Sequence, residues 1–503
     1  TVRLAAAADT VILHEKIFAC ARCRRVRSKA KIPREAGVGP RRSLFLTVMG
    51  RTTNIAVKVY AGRGIIMRKR GVFSTLLSLI VLGLLVFGAY TFLKDMDGPA
   101  ITISPDTGRL SPAREVTVTM TDKSGIRAVT VSVRKNNSSN VVFQKHFSPY
   151  LPEQQVQFSL KDAGIREGAF DLEIKATDAS LAGFGQGNTR TQVWPMRMDT
   201  QPPRISVKTL PPNIRRGGTG VILYTINEDV TYSGVRIGDL FFKGYRQPNN
   251  SYICFFPFPH KQSPAQYTPE ITAEDLAGNV TASRLMVRAI DRQFRNDNIN
   301  VTDAFLLKVS QSLSDLAPNA ANPLECFITI NRDIRASNAG TLLELGSKTE
   351  PRMLWSGAFI RLPRSAARAG YADHRTYIYQ GQKVDDQYHL GFDLASLARA
   401  EVPAANNGRG VFSGPLGIYG NLVVVDHGMG LMSLYSHMSS INVSVGDSVN
   451  KGDTLGHTGT TGLAFGHLHF GMLVGGVEVT PLEWLDAKWI RDNVTGRLAS
   501  NKQ

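Results

Sequence analysis

Apolar and polar positions change rhythm along the chain, beginning with an unbroken apolar run. Residues 71–93 form a 23-residue stretch without a charged side chain, from Val72-Phe73 through Ile80-Val81-Leu82 to Thr91-Phe92-Leu93. As a helix it would be about 34 Å long, enough for a hydrocarbon core of ~30 Å. Arg68-Lys69-Arg70 precede it, and Asp95 and Asp97 follow. The pattern predicts one N-terminal transmembrane helix, a signal anchor over 67–94, with its basic flank cytoplasmic and the C-terminal bulk exported. A cleaved signal peptide is the alternative, but its apolar core is shorter, and Ala89-Tyr90-Thr91 is a poor small-x-small site.

From 98 to 291 the period becomes two. Alternating runs such as Val116-Thr117-Val118-Thr119-Met120, Val129-Thr130-Val131-Ser132-Val133 and Phe170-Asp171-Leu172-Glu173-Ile174 are separated by turn residues, the spacing of a β-sandwich. The segment repeats itself. Gly98-Pro99-Ala100-Ile101-Thr102-Ile103 matches Pro202-Pro203-Arg204-Ile205-Ser206-Val207, and Ala176-Thr177-Asp178…Gly187-Asn188 matches Ala273-Glu274-Asp275…Gly278-Asn279. This predicts two tandem Ig-like modules, 98–199 and 200–291, serving mainly as a spacer. Residues 295–346 turn helical. One helix is expected from Val301 through Leu313 with Thr302 or Asp303 as N-cap, and a second from Ala336 to Leu345. This helical connector either packs on the next domain or acts as a lid. Residues 350–490 read as a compact antiparallel β domain with a groove. In it Leu422–Asp426 and Leu431–Tyr435 flank the hairpin signal Gly428-Met429-Gly430. The expected fold class is mainly β.

A chain of 503 residues is too long for one core and suggests three or four domains. Residues 1–70 hold 17 Lys/Arg against 3 Asp/Glu, so +14 of the overall +18 sits there. The excess lies in one segment without a nucleic-acid motif, so no nucleic-acid partner is expected. Residues 1–66 are Arg-rich and aperiodic, and are expected to be a disordered or over-extended N-terminal segment ahead of Met67. The rival reading is a basic tail or targeting segment. Cys20-x-x-Cys23 lacks a second ligand pair for a structural metal. Cys254 and Cys326 either pair in an oxidising compartment or remain buried thiols.

Candidate chemistry concentrates near the C-terminus. His389 and Asp393 are four apart, and His467 and His469 two apart around an apolar leucine; in extended chain each pair shares a face. Two neutral imidazoles and a carboxylate suit a catalytic zinc, which keeps three protein ligands and an open position. Histidines not used as ligands are free for proton transfer or oxyanion stabilisation. His260, His374, His427 and His457 are expected to be structural or exposed. Asn421 and Tyr435 are candidates for shaping the groove.

In their order these residues resemble the M23, or lysostaphin/LytM-type, zinc endopeptidases of bacterial cell walls. The likeness runs over roughly 350–490. It covers His389-x-x-x-Asp393, Gly420-Asn421 leading to Asp426-His427-Gly428, Tyr435-Ser436-His437, the glycine ladder from Val445-Gly446 to Gly462, and His467-x-His469-Phe470. The resemblance implies a LytM-like β peptidase domain with one Zn2+ per chain on His389, Asp393 and His469, and with His437 and His467 as catalytic histidines. It further implies a zinc metalloendopeptidase that hydrolyses peptide cross-links of peptidoglycan. The expected location is the cytoplasmic (inner) membrane, single-pass, with the C-terminal domains in the periplasm or cell-wall space. An envelope protein or wall glycan is a candidate partner for the Ig-like modules. Some relatives lose these residues and act only as amidase activators; this chain keeps all five. It departs at Gly466, where many relatives carry proline. The alternative is a latent envelope scaffold that activates a wall amidase.

Overall fold

The computed structural model describes residues 69–93, 95–136, 138–463 and 466–500. The expectations for residues 1–66, including Cys20 and Cys23, lie outside the described residues. The chain divides into two compact units, Thr1–Leu77 and Ser78–Gln503. The apolar run is helical, α1, Lys69–Leu93. Its side chains are described over 74–90 and are exposed throughout. Among the described residues no helix is long and apolar enough to cross a membrane, so the described part of α1 does not meet the expectation of an anchor over 67–94.

Within the second unit, the first β segment packs a three-stranded sheet on a five-stranded one. Val118, Met120, Val129, Val131, Leu172 and Ile174 fill the space between them. These are the inward positions of the alternating runs read from the sequence. The repeated motif has a structural cause. Asp178 Oδ1 accepts from the Ser180 and Asn188 backbone N–H groups, while Asn188 Nδ2 donates to the Asp95 carbonyl. In the second segment Asp275 Oδ1 accepts from Ala277 N and Asn279 N, while Asn279 Nδ2 donates to the Asp199 carbonyl. In each case a buried Asp and an Asn tie the last strands to the chain entering the segment, where the unpaired backbone groups would otherwise be costly.

The second β segment forms two four-stranded sheets, but it is not a free-standing spacer. Its core residues Val221, Leu223, Phe255 and Phe256 belong to one continuous cluster with Trp355, Phe359, Tyr435, Phe470 and Trp484 of the C-terminal domain. The Trp484 indole stands edge-on to Phe255 at 5.7 Å. At Gly218 the two parts touch so closely that a Cβ would lie 2.4 Å from Glu483 Oε1. For this second segment, aromatic surface on both sides is buried jointly, as in a domain core, whereas the first segment keeps a core of its own. Cys254 and Cys326 are buried free thiols; they do not pair.

The connector begins as a strand, β1, Asn296–Asn300, and continues as α2, Asp303–Leu313, α3, Pro323–Thr329, a π-helical turn Ile330–Ile334, and α4, Arg335–Ser347. Thr302 caps α2, its hydroxyl accepting from Phe305 N, and α4 covers the expected second helix. The sequence reading missed β1 and α3. α4 is fixed to the C-terminal domain. Asn338 Oδ1 accepts from Ile418 N at 3.0 Å, Leu342 is fully buried, and a Cβ on Gly346 would lie 2.1 Å from Gly476 N. Such contacts describe a built-in wall rather than a detachable lid.

The C-terminal domain contributes β2, Ala366–Ala369; β3, Asp373–Tyr379; β4, Gln382–His389; β5, Phe392–Ala395; β6, Gly408–Pro415; β7, Asn421–Gly428; β8, Leu431–Ser436; β9, Ser448–Val449; β10, Leu468–Val474; and β11, Val477–Val479. β1, β3 and β4 form one sheet; a larger one runs β2-β5-β10-β8-β7-β6-β9, with β11 paired to β10. The β7–β8 hairpin turns at Gly428-Met429-Gly430 as expected, all three with left-handed φ.

Candidate metal centre

The site lies where the chain leaves the small sheet for the large one. His389 ends β4 and Asp393 lies in β5, so the two do not share one strand as the spacing suggested. The break falls at Leu390-Gly391. Glycine is required there because a Cβ would stand 2.6 Å from His469 Nε2 and 2.7 Å from the Phe470 carbonyl oxygen. Antiparallel registers then bring the pieces together: Asp393 is directly opposite His469 across β5–β10, and Ser436 opposite His469 across β8–β10. Directly opposed residues in a ladder share a face. His437 follows β8 immediately. Its φ is +65°, uncommon for a non-glycine residue and a form of strain concentrated at functional sites. Its backbone N–H donates to the Tyr419 carbonyl at 2.9 Å.

Three donor atoms converge. His389 Nε2 lies 2.8 Å from Asp393 Oδ1 and 2.8 Å from His469 Nδ1, and His469 Nδ1 lies 3.1 Å from Asp393 Oδ1. The three side chains meet the requirement for a group able to hold a metal ion. Two imidazole nitrogens and a carboxylate oxygen this close, aimed at one point, fit the donor set of a zinc site. The ring orientations are set from behind. His389 Nδ1 lies 2.7 Å from the Gly370 carbonyl, and Arg375 Nη2 donates to Asp393 Oδ2 at 2.8 Å. Such outer contacts orient metal ligands. His467 Nε2 is 3.1 Å from Asp393 Oδ1, and the His437 and His467 rings are 5.3 Å apart. All five sequence-predicted residues are therefore brought together.

Burial sets their charge. His389, Asp393, His437 and His469 are each 5–7% exposed. Burial works to raise the Asp393 carboxyl, but hydrogen bonds with His389, His467 and His469 outweigh it and hold the group well below the usual carboxylate range. Burial pushes His469 down to about 4. It pushes His437 down to about 3, aided by the neighbouring His469 and His467. His437 and His469 are therefore neutral imidazoles at neutral pH, the form that binds metal or accepts a proton.

Sequence reasoning missed the four polar lining residues other than the five above. Arg375 comes from β3, Tyr419 from the turn before β7, Glu478 from β11 and Arg335 from the connector; all border the same cavity of about 80 Å³ as the histidines. None carries a local motif. Burial raises the Glu478 carboxyl, and its Oε1 accepts from Tyr419 Oη at 3.3 Å. Leu463 also borders a wider cavity of about 440 Å³, between α2 and the 415–421 and 460–463 loops. Asn421 lines that cavity, in keeping with a groove residue. Tyr435 instead faces the core at 1% exposure, its hydroxyl accepting from Ala405 N, because its strand position alternates away from the site. His427 is structural, bonded to the Asn407 carbonyl and Ser433 Oγ. His374 pairs with Asp386, His457 with Ser440, and His260 packs on Tyr388.

A model described as peptidase family M23 matches residues 387–481. DD-carboxypeptidase/endopeptidase Mpg of Neisseria meningitidis serogroup B is 36% identical over 95 residues, 19% of this chain and 22% of that protein. Lipoprotein NlpD of Yersinia enterocolitica is 34% identical over 94 residues, 18% of this chain and 97% of that sequence. Murein hydrolase activator NlpD of Salmonella dublin is 32% identical over 96 residues, 19% of this chain and 26% of that protein. The chain thus spans only 22% and 26% of the Neisseria and Salmonella relatives. The matched stretch contains all five clustered residues; Arg335 and Arg375 lie outside it.

Proposed function

The chain belongs to peptidase family M23, and from that membership we propose that it is a zinc-dependent endopeptidase hydrolysing peptide cross-links of bacterial peptidoglycan. The observation that carries the reading is the convergence of His389 Nε2, Asp393 Oδ1 and His469 Nδ1 within 2.8–3.1 Å of one another. These three would hold one Zn2+ per chain. When bound, zinc supplies an activated water and polarises the scissile carbonyl. The remaining work falls to the chain's own residues. Asp393 stays anionic against Arg375. His437 donates from Nδ1 to the Thr461 carbonyl at 2.8 Å, which leaves Nε2 as the basic nitrogen. It accepts a proton there and returns it to the leaving amine. His467 supplies the second imidazole beside the reacting carbonyl.

The second reading, a latent scaffold that activates an amidase, draws on the Salmonella relative being named a murein hydrolase activator. The complete set of five residues favours the enzyme. Digestion of purified sacculi by the full chain in detergent, read by mass, separates the two. Loss of cross-linked dimers, absent with His437→Ala of unchanged zinc content, supports hydrolysis; intact dimers with zinc-loaded wild type support the scaffold.

The location is proposed on charge asymmetry alone: an inner-membrane chain with 95–503 outside, and the two sandwiches as Ig-like modules facing an envelope partner. Protease added to intact spheroplasts should degrade that part, and full protection would contradict the placement.

A further inference from the structure

His437 carries backbone strain, and the strain has to be held. Its φ is +65°, a conformation that persists in a non-glycine residue only where its neighbours over-determine it. The holding groups come from the 415–421 and 460–463 loops. The His437 backbone N–H donates to the Tyr419 carbonyl at 2.9 Å. One residue on, the Met438 carbonyl accepts from Asn421 Nδ2 and from Thr461 Oγ1, each at 3.0 Å. The ring is held from the second loop as well, since Nδ1 donates to the Thr461 carbonyl at 2.8 Å.

Thr461 is the residue these contacts share. Its hydroxyl accepts from the Asn421 backbone N–H at 2.9 Å while its one proton goes to the Met438 carbonyl. The side chain therefore ties the start of β7 to the residue that follows His437. The fit leaves no slack. A Cβ on Gly420 would lie 2.4 Å from both the carbonyl carbon and Oγ1 of Thr461, and a Cβ on Gly462 would lie 2.4 Å from the Ile418 carbonyl oxygen. The 460–463 loop also has an anchor that does not use the hydroxyl, because Leu463 N–H donates to the Ile418 carbonyl at 3.0 Å. Loss of the hydroxyl should thus free the Thr461 carbonyl to move without releasing the loop.

That carbonyl decides what His437 can do. A carbonyl oxygen only accepts, so it keeps the imidazole proton on Nδ1 and leaves the lone pair on Nε2. Once it drifts, the other tautomer becomes accessible, with no basic nitrogen at Nε2.

We propose that Thr461 is a positioning residue for His437. Its hydroxyl, pinned between Asn421 and Met438, holds its carbonyl against Nδ1 and so fixes both the tautomer and the aim of the basic nitrogen. The effect on rate rests on the hydrolase reading above; the effect on the tautomer stands apart from it.

The test uses the zinc-loaded full chain in detergent, soluble cross-linked dimer peptides as substrate, and 15N-histidine labelling. Thr461→Val should lower kcat about 10- to 100-fold, the scale of a misplacement of about 1 Å. KM should stay within about threefold, with zinc content and melting unchanged. Thr461→Ser, which keeps the hydroxyl, should recover most of the rate. In the nitrogen spectrum, wild type should show one Nδ1–H signal for His437, identified by its absence in His437→Ala. Thr461→Val should weaken that signal by mixing tautomers. Wild-type kcat in Thr461→Val, an unchanged Nδ1–H signal, or Thr461→Ser as slow as Thr461→Val would overturn the proposal and leave hydrolysis standing. If zinc-loaded wild type cleaves nothing, the hydrolase reading fails and the spectrum decides alone. A signal present in wild type and weakened in Thr461→Val upholds the positioning role, and equal signals reject it.

Discussion

Substitution of Gly391 by alanine tests the site without touching a ligand. The His469 ring presents Nδ1 to the cluster and rests its far edge on the Gly391 backbone. A Cβ there would lie 2.6 Å from His469 Nε2, 2.7 Å from Cε1 and 2.7 Å from the Phe470 carbonyl oxygen. Ordinary contact is about 3.5 Å, so the ring must retreat by about 0.9 Å. Metal–ligand distances tolerate shifts of only about 0.2 Å. The carbonyl has no route of retreat, since Phe470 is paired with Phe392 on one side and Tyr435 on the other. Disturbing a contact behind a ligand costs about 10–100-fold in affinity. Displacing the ligand itself should put Gly391→Ala at or beyond the upper end, with a stability loss of about 1–3 kcal/mol from overpacking. Zinc affinity is read by competition with a chromogenic chelator, and stability by melting of the metal-free protein. Gly471→Ala is the control on the same face of the fold: its nearest contact is Leu434 Cβ at 3.5 Å, and it should bind zinc normally. Gly391→Ala with zinc affinity within twofold of wild type and an unchanged melting point would refute the close approach.

Two further outcomes follow from the joint core. Burial pushes the Glu483 carboxyl from its ordinary 4.5 up to about 7. The unfolded chain therefore binds fewer protons than the folded one between those values. The contribution is fully present below about pH 4.5 and is lost as pH rises through about 7, roughly 3 kcal/mol in all. Urea unfolding at pH 5 and pH 8 should show this difference in wild type and not in Glu483→Gln; the same change in stability between the two pH values in both proteins would contradict it. Trp484 is fully buried against Phe255 and Trp355, so Trp484→Ala should cost about 3–5 kcal/mol. A calorimetric loss below about 1 kcal/mol would deny that the second β segment and the C-terminal domain share a core.

The chemistry was legible because it is local. His467-x-His469 reads as a pair from spacing alone, the Gly428-Met429-Gly430 turn from residue type, and the α2 cap from Thr302. The His389–Asp393 pair was placed together for the wrong local reason. They meet across a break between two sheets, held by Gly391 against a strand almost 80 residues away. What stayed hidden depends on long-range packing. Arg335 looks like any helix arginine until Asn331 and Asp385 fix it over the cavity. Phe255 reads as the core of its own module until Trp484 covers it. Tyr435 sits beside His437 in sequence, yet alternation turns it to the opposite face.

The most direct measurement is a titration of metal-free full chain with zinc, following release of fragments from purified sacculi together with bound zinc. Release should climb in proportion to zinc, level off at one equivalent per chain, and vanish in His469→Ala, which should also fail to retain the ion. Full release by the metal-free protein, or undiminished release by His469→Ala, would contradict it.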